Sequence, residues 1–482
     1  MENDSLRRQA IRGTLWFGGS RVIVQATTWL ITIVVVGLLG PAAYGLFGFA
    51  MLVTDLPEMI AELGLGAAII QKRDLDDAEL ETLFWLSMAS AVGMYAIVWL
   101  AAPAISVFFN QSQLTAVLRV SMVAFVISSA RIVSWNLLTK RIDFKRRSLA
   151  EGAATISASL VTLAAAYRGW GAWALVAGLI VRHAGMTIAC YWMLPWWPRG
   201  RFRREAVRKV LGFSARASGG RIAWYFASNA DFLIVGKLLG QEALGLYSMV
   251  FQLATLPADR ITTVIQQVTY PVYARLQDQP DSFKRFFLKT VTLLTIVSFP
   301  LMMGLLAVAD VAVPALLKEK WQAMVVPLQI MCGMGMVLSV TALVAPAVLA
   351  KGQPGLNLRY YLFCLVVLPP GFLVGSYFGL AGVCWAWMLL FPCIALWWFR
   401  RARTPIGYGW AELISALTPA VVSTVVMGMA VLVARFATGS ISVPLWRLVI
   451  LIAVGLAGYG LALTVGFRRQ VQEIREIVFS RQ

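Results

Sequence analysis

The chain is poor in most of what a soluble enzyme is built from. Only 13% of its 482 residues are charged, against about 25% in soluble domains. Acids are scarcest, with 23 Asp and Glu against 42 Lys and Arg. The one histidine, His183, rules out any multi-histidine metal site. Cys190, Cys332, Cys364, Cys384 and Cys393 fall in apolar stretches with no CxxC spacing, so they predict buried structural thiols rather than a disulfide framework or a metal site. No GxxxxGK[ST] loop, HExxH or GxSxG is present. The sequence therefore gives no sign of a fused ATPase, a zinc protease or a serine hydrolase, and predicts neither covalent catalysis nor a cofactor.

What is present is hydrocarbon. Hydrophobic residues make up 59% of the chain, and mean hydropathy is +0.75. A membrane crossing needs about 20 mostly apolar residues. Fourteen stretches qualify: 13–39, 43–70, 82–108, 114–139, 149–167, 171–195, 213–238, 243–270, 286–312, 325–350, 357–377, 379–399, 410–434 and 444–467. The segment from Met1 to Arg12 is short and basic, and the apolar run after it reads as a retained span rather than a cleaved signal. Alternate loops differ sharply in charge. One set, with both termini, holds 29 Lys and Arg, and the other holds six. That split places the termini in the cytoplasm and explains the net charge of +19 without nucleic acid. Some attraction to anionic inner-leaflet lipid follows from it.

The chain also repeats itself. Gly19, Arg21, Val35, Leu38, Leu39, Gly40, Ala43, Gly45, Leu46, Leu56 and Pro57 recur, each 200 residues later, as Gly219, Arg221, Val235, Leu238, Leu239, Gly240, Ala243, Gly245, Leu246, Leu256 and Pro257. Average residue usage would give roughly three or four such matches. A second echo joins Tyr167-Arg-Gly169 to Tyr377-Phe-Gly379. Each half starts inside and holds an even number of spans, so the repeats are parallel, a layout in which transporter substrates bind between repeats. The expected fold is an all-α integral membrane protein of about fourteen transmembrane helices. Residues 1–195 form an N-lobe, 196–212 a basic amphipathic linker, 213–399 a C-lobe, and 400–482 two extra helices with a cytoplasmic tail.

Seven arginines remain inside spans: Arg21, Arg119, Arg131, Arg182, Arg216, Arg221 and Arg260. Six acids join them: Asp55, Glu58, Glu62, Asp231, Asp259 and Asp310. Intramembrane charges are functional candidates by default. Arg21, Arg221, Arg131, Arg182 and Arg260 either line a wet cavity that accepts an anionic headgroup, or each finds a structural partner: Glu58 or Glu62 for Arg21, Asp259 or a loop acid for Arg260, the interface for Arg131. An Arg fork suits phosphate because it binds two oxygens at once. Asp55, Glu58 and Glu62, spaced i, i+3, i+7, share one helical face. That face is either an ion or proton coupling site or a neutraliser of Arg21. Its repeat copy reads Thr255, Ala258 and Thr262 and carries no acid. His183 is either a satisfied polar group or a proton switch.

Several stretches carry a resemblance. They are Gly64-Leu-Gly-Ala-Ala-Ile-Ile-Gln-Lys-Arg-Asp-Leu-Asp through Glu81-Thr-Leu-Phe-Trp, then Arg141-Ile-Asp-Phe-Lys and Trp173-Ala-Leu-Val. Asp231-Phe-Leu-Ile-Val-Gly-Lys-Leu-Leu-Gly with Leu244-Gly-Leu-Tyr, Tyr270-Pro-Val-Tyr-Ala-Arg-Leu-Gln, and Lys320-Trp321 before Leu328-Gln329 complete the set. The chain resembles the Wzx-like polysaccharide flippases of the multidrug/oligosaccharidyl-lipid/polysaccharide exporter superfamily, nearest to colanic-acid-type exopolysaccharide transporters. The resemblance covers nearly all of the first twelve spans. It implies a multi-pass protein of the bacterial inner membrane that moves an undecaprenyl-pyrophosphate-linked oligosaccharide to the periplasmic leaflet by alternating access. Membrane lipids and polysaccharide polymerase or assembly proteins are the implied partners. The family pattern would put a glycine in the turn before Trp321, where this chain has Lys318-Glu319-Lys320. A lipid II or drug exporter of the same superfamily, or a non-transporting scaffold of polysaccharide assembly, are the competing readings.

Overall fold

A computed structural model describes residues 24–62, 76–140, 144–194, 196–200, 203, 225–439, 441 and 443–468. For some helical residues, Glu58, Glu62 and Arg260 among them, the backbone alone is described. The described residues are almost wholly helical and contain no strand. In chain order the helices are α1 (Val24–Leu38), α2 (Pro41–Glu62), α3 (Asp77–Phe109), α4 (Leu114–Ala130), α5 (Ile132–Lys140), α6 (Phe144–Tyr167), α7 (Ala172–Met193) and α8 (225–234). A π-helical turn, Val235–Leu239, leads into α9 (Gly240–Leu276) and α10 (Pro280–Leu317). A 3₁₀ turn, Glu319–Met324, precedes α11 (Val325–Thr341), α12 (Val344–Ala350), α13 (Pro354–Ser376), α14 (Gly379–Ile406), α15 (Trp410–Ala437) and α16 (Pro444–Gly466).

Two compact units emerge. The first is Met1–Tyr225 with Gly240–Gly245, and the second is Phe226–Leu239 with Leu246–Gln482. Among the described residues, nine helical stretches are long and apolar enough to cross a membrane: Asp77–Phe109, Ser148–Tyr167, Ala172–Met193, Pro280–Leu317, Glu319–Ala350, Pro354–Ser376, Gly379–Ile406, Trp410–Ala437 and Pro444–Gly466. They coincide with the expected spans 3, 5, 6 and 9 to 14. Two bent pairs, Val24–Leu38 with Pro41–Pro57 at 115° and Leu114–Ala130 with Ile132–Leu138 at 50°, raise the number to as many as eleven. The fourteen read from the whole chain include stretches outside the described residues. Large apolar side chains cover the outside of both units, Leu100 at 72%, Leu389 at 64% and Phe436 at 89% exposure among them. So much exposed hydrocarbon is what lipid, and not water, stabilises.

Local sequence explains the element ends. Asp76 and Glu79 form a reciprocal capping box at the start of α3, and Asn110 closes it in the left-handed conformation that Asn tolerates. The second sequence echo is also a structural one. Gly169, shortly before α7, and Gly379, the first residue of α14, both adopt positive φ, +77° and +73°. The first echo meets itself inside the first unit. A Cβ placed on Gly45 would lie 1.7 Å from the carbonyl oxygen of Gln241, and one on Gly245 would lie 1.8 Å from that of Pro41. Residues 41 and 241 are repeat partners, as are 45 and 245. Each glycine therefore faces the counterpart of the other's neighbour, the reciprocal pattern of a local two-fold.

Two expectations change. Cys190, Cys332, Cys364 and Cys384 are buried, but Cys393 is exposed on α14. The pairs Trp196-Trp197 and Trp397-Trp398 read in the sequence as interfacial belts, yet Trp398 is fully buried and stacks on Tyr360 at 4.7 Å. Its apolar area found a ring to pack on, and its Nε1 has no hydrogen-bond partner among the described residues. Most of the expected linker 196–212 lies outside the described residues. Of the rest, Trp196 packs edge-on against Phe84 at 5.8 Å, and Arg203 is anchored to Asp76 at 2.6 Å.

The turn before Trp321 shows why a glycine is expected there. Lys318 ends α10 at φ 69°, ψ 170°, a region that is nearly glycine-only and costs a side chain about 1–3 kcal/mol. Fully buried Trp321, whose N–H reaches the Lys318 carbonyl at 3.2 Å, holds the turn in place. Glycine returns roughly 0.5–1 kcal/mol of that gain as lost unfolded-state freedom. Lys318→Gly is thus expected to stabilise the protein by about 1 kcal/mol, read as a rise in its thermal transition in detergent. A transition that stays put or falls means that Lys318 sits there without strain.

Candidate functional site

The site begins with a break in the membrane. Helices α4 and α5 would be one span, yet they part at Arg131 with no Pro or Gly nearby. Ser128 and Ser129 both turn their hydroxyls back onto the Phe125 carbonyl, at 2.8 and 3.1 Å, a habit that bends helices. The carbonyls at the break are satisfied from α7 instead. Thr187 Oγ1 donates to Ile127 O at 3.0 Å and Tyr191 O–H donates to Ala130 O at 2.8 Å. His183, Thr187 and Tyr191 are spaced i, i+4, i+8, so one stripe of α7 splints the break.

At the top of that stripe Arg131 Nη1 lies 3.2 Å from His183 Nδ1. A guanidinium only donates, so Nδ1 accepts and the imidazole in this contact is neutral, with its proton on Nε2. The contact orients Arg131 and leaves its positive charge in place. Beside it on α7, Arg182 is exposed and has no hydrogen bond or ion pair among the described residues. Arg182 lies ten residues from one end of the 22-residue α7, about 15 Å along the axis and hence near mid-span.

The remaining expected residues fall as follows. Arg21 and Arg221 lie outside the described residues, as does the side chain of Arg260 on α9. Helix α2 runs unbroken through Glu62, as the i, i+3, i+7 reading needs, and Asp55 on it is exposed. The side chains of Glu58 and Glu62 lie outside the description. The structure therefore places Arg131 and Arg182 beside His183; of the other six candidates only the Asp55 side chain lies among the described residues.

Three other intramembrane charges are spoken for, while Arg216 and the Asp259 side chain lie outside the described residues. Arg119 lies over the Trp99 ring at 4.0 Å and donates to the Trp99 carbonyl at 3.3 Å. Asp310 on α10 pairs with Arg435 at the end of α15. Asp231 on α8 is fully buried in the second unit. Its Oδ2 accepts from Tyr247 O–H and from Trp387 Nε1 at 2.9 Å, and its Oδ1 from the Phe232 N–H at 2.9 Å. Trp387 also donates to the Tyr247 oxygen at 2.9 Å. Rings of Phe232, Phe251, Phe372 and Phe391 enclose the group. This network ties α8, α9 and α14. The sequence marks Asp231 as an acid in a span, but its partners lie 16 and 156 residues away, where no spacing rule reaches.

Comparison with known proteins places this architecture. A family profile described as "Polysaccharide biosynthesis protein" matches residues 34–326. The lipopolysaccharide biosynthesis protein WzxC of Escherichia coli (strain K12) is 24% identical over 389 residues, covering 80% of this chain and 79% of that one. The teichuronic acid biosynthesis protein TuaB of Bacillus subtilis (strain 168) is 25% identical over 367 residues, covering 73% of each. The lipid II flippase MurJ in an inward closed conformation shares the fold, with a TM-score of 0.76 over 95% of this chain and 100% of that one at 10% identity. A family match over more than half of the chain, together with a shared helical membrane fold, agrees with the resemblance carried by the loops: the chain belongs to the polysaccharide biosynthesis protein family of Wzx-like membrane proteins.

Proposed function

We propose that the protein is a flippase that carries an undecaprenyl-pyrophosphate-linked polysaccharide repeat unit from the cytoplasmic to the periplasmic leaflet of a bacterial inner membrane. Both termini lie in the cytoplasm, and no covalent bond is made or broken. The diphosphate is held by Arg131 and Arg182, with Arg21, Arg221 and Arg260 completing the anion site, and the glycan stays hydrated while the protein opens alternately to each side. The work is divided along the domains 1–195, 196–212, 213–399 and 400–482.

One observation carries this reading. Arg182 is near mid-span, exposed, and without a partner among the described residues. An arginine facing lipid at that depth costs about 2.5–3.5 kcal/mol even on the most lenient scale. Facing water and an anion it costs far less, and a phosphate oxygen pair matches its fork. Arg119, shielded by Trp99, shows what a purely structural arginine looks like in this chain. A cationic-drug exporter would want acids where Arg182 stands. The family to which the chain belongs favours transport over a scaffold role.

Coupling to an ion gradient is assigned to Asp55, Glu58 and Glu62 on α2. Asp55 is exposed on α2. Asp231 is sealed and has its lone pairs committed to three neutral donors, which marks it as a structural tie.

In proteoliposomes, Arg182→Gln and Arg131→Gln are expected to lower repeat-unit transport at least tenfold, the loss of about 1.4 kcal/mol or more of anion binding. Arg119→Gln is expected to stay within about twofold of wild type. Full transport by Arg182→Gln contradicts the anion site. Glu58→Gln and Glu62→Gln are expected to abolish the dependence of transport on the ion gradient. Asp231→Asn is expected to keep that dependence but to lower stability by about 1–3 kcal/mol, because the amide sets a donor against a donor whichever way it turns. A gradient dependence that survives the Glu variants and vanishes in Asp231→Asn reverses the assignment.

A further inference from the structure

The second unit holds a pocket of 650 Å³ that plays no part in the transport reading. It is lined by Arg400, Arg403 and Thr404 from the end of α14, the Gly407–Tyr408–Gly409 turn, and Trp410 from the start of α15. Arg400 and Arg403 are three residues apart and share a helical face. The turn is firmly built. Gly407 takes φ +86°, while Tyr408 is buried, stacks on Phe287 at 5.5 Å and donates its O–H to the Phe399 carbonyl at 2.5 Å.

The charges of this pocket are not balanced from within. Glu412, the acid nearest in sequence, accepts the Gly409 N–H at 2.7 Å and pairs with Lys284 at 3.0 Å. Neither the Arg400 nor the Arg403 side chain has an ion pair or hydrogen bond among the described residues. Arg401 between them is different: its guanidinium lies over the Trp397 ring at 5.8 Å, away from the pocket. Two uncompensated forks and a hydroxyl around one concavity suit a group with several anionic oxygens. The pocket sits where a 28-residue span ends, one turn beyond lipid-exposed Leu396, which is the depth of a headgroup.

We propose that this pocket binds the phosphate of an anionic lipid headgroup, with Arg400 and Arg403 clamping the oxygens and the acyl chains lying in the bilayer beside α14. A free phosphate has the same chemistry, so the test separates the two sources. The purified full-length protein would be titrated with phosphatidylglycerol, phosphatidylcholine and inorganic phosphate, with bound ligand counted by native mass spectrometry. Wild type and Arg401→Gln are expected to prefer phosphatidylglycerol over phosphatidylcholine. Each of Arg400→Gln and Arg403→Gln should lose about fivefold of that preference and the double variant about 25-fold, the effect of a surface arginine on an anionic headgroup. Both side chains are exposed, so the neutral variants leave the packing intact, and the single variants serve where the double does not fold. Arginine-dependent binding of inorganic phosphate with no lipid preference supports the site with free phosphate as its source. A lipid preference equal in wild type and both single variants, with no arginine-dependent phosphate binding, overturns the proposal.

Discussion

A charge inside hydrocarbon must be shielded, paired or wet, and the arrangement of this protein follows from how each of its charges meets that demand. Arg119 is shielded by the face and carbonyl of Trp99. Asp310 and Arg435 are paired. Asp231 is neither wet nor paired with a cation, so three neutral donors converge on it. Arg182 is neither shielded nor paired among the described residues, which is why we propose that it is wet and part of an anion site.

Backbone groups obey the same rule. A span that breaks at Arg131 exposes carbonyls that lipid cannot satisfy, and α7 supplies Thr187 and Tyr191 to cap them. The proposed anion site depends on this break. The break puts Arg131 at a helix junction, facing α7, and His183 fixes its direction without cancelling its charge. The serine pair that bends the helix and the stripe that splints it are therefore part of how the arginine is presented.

Much of this was legible in sequence because membrane helices are read from a single variable, hydropathy over length. Nine expected spans recur as helices, and the Gly169 and Gly379 echo marks turns that share a left-handed glycine. The family pattern located a backbone conformation too, since Lys318 stands at the positive φ where a glycine was missed. What stayed hidden depends on neighbours distant in sequence. Nothing local says that Ser128 and Ser129 would break α4, that Tyr247 and Trp387 would meet at Asp231, or that Trp398 would turn inward onto Tyr360 while Trp397 packs on Phe363. Hydropathy also says nothing of which face of a span meets lipid, which is why Cys393 reads as buried and is exposed.

The central claim is that the mid-span surface around Arg182 is wet and anion-binding. The direct measurement is aqueous accessibility at that position. Arg182→Cys, in a background whose other cysteines are replaced, would be treated in intact membranes with a charged, water-soluble thiol reagent. The account predicts rapid labelling that slows when a pyrophosphate-linked lipid substrate is added. A thiol that resists the reagent until detergent is added would place position 182 against lipid or packed protein and contradict the account.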